Sequence, residues 1–144
     1  MTVQPASLKA LVVEDDSANR LSLVSLLLKI GFTQIDEATT ARQAEEAMQQ
    51  KNYDIVFLDW NLPDSSGFSI LEGCRSATRY DNCAFVIVSG ETTDHYIIEA
   101  LKAGATSYIV KPLIEESFIH HLNKVFTWLS RKREAQENIK SHTA

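Results

Sequence analysis

Short apolar runs alternate with segments of helical period along this chain, and that alternation limits its fold more than any other feature. Ala10–Val13 is a run of four apolar residues that ends abruptly at Glu14. Such a run is typical of a strand buried on both faces, as in parallel sheets. The other predicted strands are Gln34–Glu37, Asp54–Leu58, Ala84–Val88 and Ser107–Val110.

Segments with apolar residues three and four positions apart lie between these runs and predict helices. After Ser17 the residues Leu21, Val24 and Leu28 have this spacing, and Gly31 follows as a stop signal. The other predicted helices are 40–48, Phe68–Ser76, Tyr96–Ala103 and a last one from about Glu115. A strand and a helix that alternate in this way require a parallel sheet with helices on both faces. The predicted fold is a doubly wound α/β domain.

Length and composition narrow the class of protein. The 144 residues suit one domain, which we divide into an N-terminal tail (1–7), a folded domain (8–129) and a polar C-terminal helical extension or linker (130–144). The formal charge of −5 argues against direct nucleic-acid binding. No apolar stretch is long enough for a membrane span, and the first residues lack a signal-peptide pattern. We therefore expect a cytoplasmic protein, in which Cys74 and Cys83 stay free thiols.

Polar side chains follow the apolar runs at the point where each run ends. Glu14 and Asp15 follow the first strand, Asp59 the third, Ser89 the fourth and Lys111 the fifth. In an open parallel sheet the carboxyl ends of the strands form the edge where ligands bind. Residues spread over nearly a hundred positions are thus predicted to meet at one edge of the sheet.

Three carboxylates at one edge repel one another unless a cation compensates, and Mg²⁺ is the natural one for oxygen ligands. Asp59 can then act as an oxygen nucleophile and form an aspartyl phosphate. Lys111 would neutralise oxygens of the transferred phosphoryl group, and Ser89 would donate a hydrogen bond to one of them. Each residue alone also has a structural interpretation, since acids after a strand are commonly helix caps, a role predicted here for Asp16 or Ser17. The joint placement at successive strand ends is what favours the chemical one.

The chain resembles the response regulator receiver domain of two-component signalling, along roughly residues 8–128. The segments that carry the resemblance are Leu11–Asp16, Asp54–Pro63 with Gly67, Val86–Gly90, Ala103–Ala105 and Tyr108–Pro112. Their order and spacing agree with the family. The resemblance implies a five-stranded parallel sheet of order 2-1-3-4-5 with five helices, and a cis bond between Lys111 and Pro112.

The resemblance also implies roles for individual residues. Asp59 would be the phosphoryl acceptor, with Lys111 and the switch hydroxyl Ser89 beside it. The Mg²⁺ ligands would be Asp15, Asp59 and the backbone carbonyl of Asn61, with Glu14 often acting through a water molecule. Tyr108 would be the switch aromatic residue, which turns inward as the hydroxyl moves. Asn61 and Glu91 would tune the lifetime of the phosphoryl group, and this polar pair favours a short one.

Partners follow from the same resemblance. The phosphoryl donor would be a sensor histidine kinase or a histidine phosphotransfer protein. The output surface would lie within residues 95–129 and bind a downstream protein, a missing effector domain or, in a homodimer, a second copy. Three alternatives stay open: a Mg²⁺-dependent phosphohydrolase with Asp59 as nucleophile, a receiver excised from a longer regulator, and a degenerate receiver. Asn61 argues against the hydrolase, since such enzymes usually have an acid at that position.

Overall fold

A computed structural model describes residues 3–143, with side chains through residue 140. The strands are β1 (Lys9–Val13), β2 (Gln34–Ala38), β3 (Ile55–Leu58), β4 (Ala84–Ser89) and β5 (Ser107–Val110). The helices are α1 (Ser17–Ile30), α2 (Ala41–Gln50), α3 (Gly67–Arg75), α4 (Asp94–Lys102) and α5 (Glu115–Thr143). The bounds of the predicted strands differ from these by a residue at most.

The five strands form one parallel sheet in the order β2-β1-β3-β4-β5. This confirms the doubly wound fold and the strand order that the resemblance implied. The register pairs Val13 with Leu58 and Leu58 with Ile87, so β1, β3 and β4 end side by side. The residues that directly follow these strands therefore share one edge of the sheet.

The sheet separates two apolar cores, because successive side chains of a strand point to opposite faces. On one face, Val12 and Phe57 pack with residues of α1 and α5. On the other face, Val13 and Leu58 pack with residues of α2, α3 and α4. Because both faces of β1 and β3 are covered, their apolar runs show no polar alternation.

Side-chain caps set the helix starts near the carboxyl edge. The Asp16 carboxylate accepts a hydrogen bond from Asn19 N at 2.8 Å and caps α1. The Thr40 hydroxyl accepts one from Gln43 N at 3.1 Å and caps α2. Helix α1 ends at Ile30, and Gly31 follows it with a φ of 122°, a conformation that favours glycine. Of the three consecutive acids after β1, Asp16 therefore acts as the cap of α1.

The first described residues contact the middle of α5. Val3 is buried, and its N–H donates to the Ser130 hydroxyl oxygen at 3.0 Å. Further along α5, Arg133 pairs with Asp54 at 3.3 Å. The predicted domain boundaries at residues 7 and 129 stay predictions, and residues 1, 2 and 144 lie outside the described part.

Within residues 3–143, every helix is too short or too polar to cross a membrane. Cys74 and Cys83 are free thiols, as expected. Burial raises the pKa of Cys74 to about 11 and that of Cys83 to about 12. Both thiols therefore stay protonated and unreactive near neutral pH.

Candidate functional site

Four of the five side chains predicted to meet at the carboxyl edge of the sheet do so, namely those of Glu14, Asp15, Asp59 and Lys111. Lys111, after β5, donates through Nζ to Glu14 Oε1 and, at 2.9 Å, to Asp59 Oδ2. These three residues come from the ends of β5, β1 and β3. The bond between Lys111 and Pro112 is cis, as the resemblance implied.

The three acids of this edge form a compact group of carboxylates. Glu14, Asp15 and Asp59 each offer one oxygen, and these oxygens lie within 4.8 Å of one another. Asp15 is exposed, whereas Glu14 and Asp59 are buried. Carboxylates that converge from two adjacent strand ends, with one open to solvent, suit a hard divalent cation such as Mg²⁺.

Burial and the neighbouring ammonium determine the protonation at this edge. Burial raises the pKa of Glu14 to about 7, while the hydrogen bond from Lys111 opposes the rise. For Lys111, burial alone would lower the pKa, but the bonds to Glu14 and Asp59 raise it above its usual value. Lys111 is therefore a permanent cation, and its charge offsets the repulsion between the acids.

Ser89 and Tyr108 are both hydrogen-bonded to the backbone of Glu91. Ser89 is fully buried at the end of β4, and its hydroxyl oxygen accepts from Glu91 N at 3.2 Å. The Tyr108 hydroxyl donates to Glu91 O at 2.8 Å. The Tyr108 ring is buried, with its centroid 6.4 Å from that of Trp60. The predicted switch aromatic residue thus points inward in this structure.

Asn61 joins the loop between β3 and α3 to the loop that follows β4. Its backbone N–H donates to Asp59 Oδ1 at 3.3 Å, and its side-chain amide donates to Glu91 Oε1 at 3.4 Å. The two positions predicted to tune the phosphoryl lifetime therefore contact each other. Together they bridge the loops that follow β3 and β4.

Gly67, the first residue of α3, lies against the backbone of Asp59. A Cβ atom at position 67 would stand 2.0 Å from Asp59 O, a distance that no real contact allows. The Gly67 N–H also donates to Trp60 O at 2.8 Å. A glycine is required here by the close approach of α3 to the end of β3.

Two residues at this edge were not predicted from the sequence. Arg20 on α1 donates from Nη1 to the carbonyl oxygens of Glu14 at 3.1 Å and Asp15 at 3.4 Å, and pairs with Glu37. Asp64 was interpreted only as part of a turn, yet its carboxylate bonds to α2. A cation one to two helical turns after paired acids, as at Arg20, is a signal that the sequence does contain.

A family model, sequence relatives and a solved structure all indicate the same family for this chain. The family model "Response regulator receiver domain" matches residues 10–123. The chemotaxis protein CheY of Pseudomonas aeruginosa is 32% identical over 119 residues, which cover 83% of this chain and 96% of that protein. Chemotaxis protein CheY-3 of Vibrio cholerae is 31% identical over 120 residues, covering 83% and 92%.

A solved structure agrees with these sequence relatives. The CheY-like response regulator receiver domain from Methylobacillus flagellatus superposes with a TM-score of 0.70 at 33% identity. The match covers 83% of this chain and 99% of that one. The family match spans most of the chain and includes all five strand ends described above. The chain therefore belongs to the response regulator receiver domain family, as a CheY-like member.

Proposed function

We propose that Asp59 accepts a phosphoryl group from the phosphohistidine of a sensor histidine kinase or a histidine phosphotransfer protein. Membership of the receiver family already makes the chain a signalling domain that depends on phosphorylation. The observation that carries the assignment to Asp59 is its contact with Lys111 inside the group of three carboxylates. A carboxylate oxygen can act as a nucleophile and form an aspartyl phosphate.

In the proposed reaction an Asp59 carboxylate oxygen attacks the phosphorus atom. The new oxygen–phosphorus bond forms as the phosphorus–nitrogen bond of the donor breaks, and that electron pair leaves on the imidazole nitrogen. The Lys111 ammonium, 2.9 Å from Asp59 Oδ2, neutralises charge on the transferred oxygens. The buried Ser89 hydroxyl donates a hydrogen bond to one of these oxygens and so senses the transfer.

Mg²⁺ is the cofactor that we propose, held by Glu14, Asp15, Asp59 and the backbone carbonyl of Asn61. When bound, it supplies positive charge to the oxygens of the phosphoryl group. The donor set supports this, because it consists only of oxygen atoms and three of them are already close together. The Arg20 contacts to the carbonyls of Glu14 and Asp15 keep the first two acids in place.

The proposed output is a change in the surface formed by α4, β5 and α5, within residues 95–129, that binds a downstream protein in the cytoplasm. Tyr108 links this surface to the site, since its hydroxyl bonds to Glu91 O and Ser89 bonds to Glu91 N. Exposed apolar side chains on this surface support partner binding or a homodimer, and they are Ile98, Leu101, Val110 and Ile119.

The Asn61–Glu91 contact supports a short phosphoryl lifetime. Both side chains are polar and reach over the site from opposite loops, where they can order a water molecule for attack on the phosphoryl group. This self-catalysed loss would be the only hydrolysis that the domain performs. An independent phosphohydrolase is not proposed, because position 61 holds an amide where a general acid would be needed.

The Mg²⁺ assignment predicts a difference between two adjacent acids. Asp15→Asn should weaken Mg²⁺ binding by about tenfold or more, because the number of charged ligands sets affinity in carboxylate sites. Asp16→Asn should leave it unchanged, since Asp16 caps α1 and asparagine caps equally well. Calorimetric titration of each variant with MgCl₂ measures the effect. Equal affinity in the wild type and Asp15→Asn would contradict the proposed ligand set.

A further inference from the structure

Asp64 lies in the loop between β3 and α3, five residues after Asp59, but its carboxylate bonds to a different element. Its Oδ1 accepts from Ala41 N at 2.8 Å and its Oδ2 from Arg42 N at 3.0 Å. Ala41 and Arg42 are the first two residues of α2. The tip of the β3–α3 loop is therefore attached to the start of a helix more than twenty residues earlier in the chain.

Through these two hydrogen bonds the negative charge of Asp64 interacts with the amino end of α2. The first N–H groups of a helix lack partners within the helix and carry partial positive charge. The bonds from Ala41 and Arg42 lower the pKa of Asp64 below its usual value. Thr40 caps the same helix through a different N–H, that of Gln43. Helix α2 thus has one local cap, Thr40, and one cap from the β3–α3 loop, Asp64.

The loop that Asp64 attaches is closed upon itself. Leu62 N donates to Ser65 O at 3.1 Å, and Gly67 N donates to Trp60 O at 2.8 Å. Asn61, at the start of the loop, forms an isolated bridge with Ser66. A loop tied in this way moves as one piece, so a shift at its tip reaches Asn61.

Asn61 passes such a shift to the acceptor. Its backbone N–H bonds to Asp59 Oδ1 at 3.3 Å, and its side-chain amide bonds to Glu91 Oε1 at 3.4 Å. The orientation of the Asp59 carboxylate thus depends on the position of the loop.

We propose that Asp64 is a positioning residue for the phosphorylation site, which holds the β3–α3 loop against α2 so that Asn61 and Asp59 keep the geometry needed for Mg²⁺ and the phosphoryl group. This inference rests on the proposed function. Asp64 touches neither the group of three carboxylates nor Lys111 among its hydrogen bonds in the described residues, so it acts through Asn61 and not as a ligand.

The experiment compares Asp64→Ala with Thr40→Ala, which removes a cap from the same helix without touching the loop. Mg²⁺ affinity is measured by calorimetric titration, and stability by thermal unfolding. Both variants should lower the Tm, since each removes a helix cap. Only Asp64→Ala should weaken Mg²⁺ binding, by about tenfold, the low end of what the loss of a residue that orients metal ligands costs. Asp64→Asn, whose amide oxygen can still accept one of the two bonds, should recover part of the affinity.

Each outcome decides between two ideas. If Asp64→Ala binds Mg²⁺ like the wild type, or if Thr40→Ala weakens binding equally, Asp64 is only a helix cap and the inference is wrong. If the folded wild-type protein binds no Mg²⁺ at all, the proposed function fails and the inference fails with it. A misfolded variant would lose the thermal transition. A retained transition in Asp64→Ala, together with recovered affinity in Asp64→Asn, therefore separates positioning from misfolding.

Discussion

Alanine at position 67 is expected to destabilise the domain by about 3 kcal/mol, the upper part of the range for overpacking a close contact. The added Cβ would stand 2.0 Å from Asp59 O, so either α3 or the end of β3 has to move. Movement at the end of β3 would disturb the hydrogen bond from Asp59 N to Val13 O inside the sheet. Movement of α3 would disturb the bond from Gly67 N to Trp60 O. Urea unfolding of Gly67→Ala against the wild type measures the loss.

Gly73→Ala is the matched control for this substitution, because Gly73 lies in the same helix and a Cβ there would meet nothing within 4 Å. Alanine in a helix interior is better than glycine by about 1 kcal/mol, so this variant should be slightly more stable than the wild type. Similar effects of the two substitutions would show that Gly67 does not face the crowding described. The displaced acceptor should also make Gly67→Ala slow to accept a phosphoryl group.

Lys111→Met is expected to cost about 3 kcal/mol in protein without added metal, since removal of one partner leaves a buried charge without compensation. Lys111 bonds to both Glu14 and Asp59, and all three side chains are largely shielded from solvent. Methionine keeps the apolar part of the side chain, so the loss reflects charge more than volume. Thermal unfolding in EDTA measures it, and added MgCl₂ should restore part of the Tm.

Lys29→Met removes a different lysine–glutamate pair and serves as the control. Lys29 and Glu115 are exposed, with side-chain relative accessibilities of 66% and 45%. Exposed pairs contribute less than about 1 kcal/mol, so this variant should unfold close to the wild type. If Lys111→Met were as stable as Lys29→Met in EDTA, Lys111 would not be the cation that holds the acids together.

The sheet and the grouping of acids and Lys111 at its carboxyl edge could be predicted from the sequence because two simple regularities determine them. Apolar runs such as Ala10–Val13 have no polar alternation only when both faces of a strand are buried. Parallel strands then place their carboxyl ends at one edge, which brings Asp59 and Lys111 together without any knowledge of the loops. Both features depend on local period and on topology.

The ties between loops could not be predicted in the same way. Asp64 lies among turn-forming residues, and that local pattern says nothing about α2, whose start is more than twenty positions away. The burial of Val3 against α5 was also missed, because the first residues contain no periodic pattern and Ser130 follows 127 positions later in the chain. Such contacts depend on how loops and ends lie over a finished core, and short patterns do not encode that.

The most direct test of the central claim is the intact mass of the protein after incubation with acetyl phosphate and MgCl₂. We expect the wild type to gain one phosphoryl group, EDTA to prevent the gain, and Asp59→Asn to show none. Beryllofluoride, which mimics the phosphoryl group, serves where turnover is too fast to trap the product, and it should bind the wild type only. If the folded wild type neither gains mass nor binds beryllofluoride, or if Asp59→Asn is modified equally, Asp59 is not the phosphoryl acceptor.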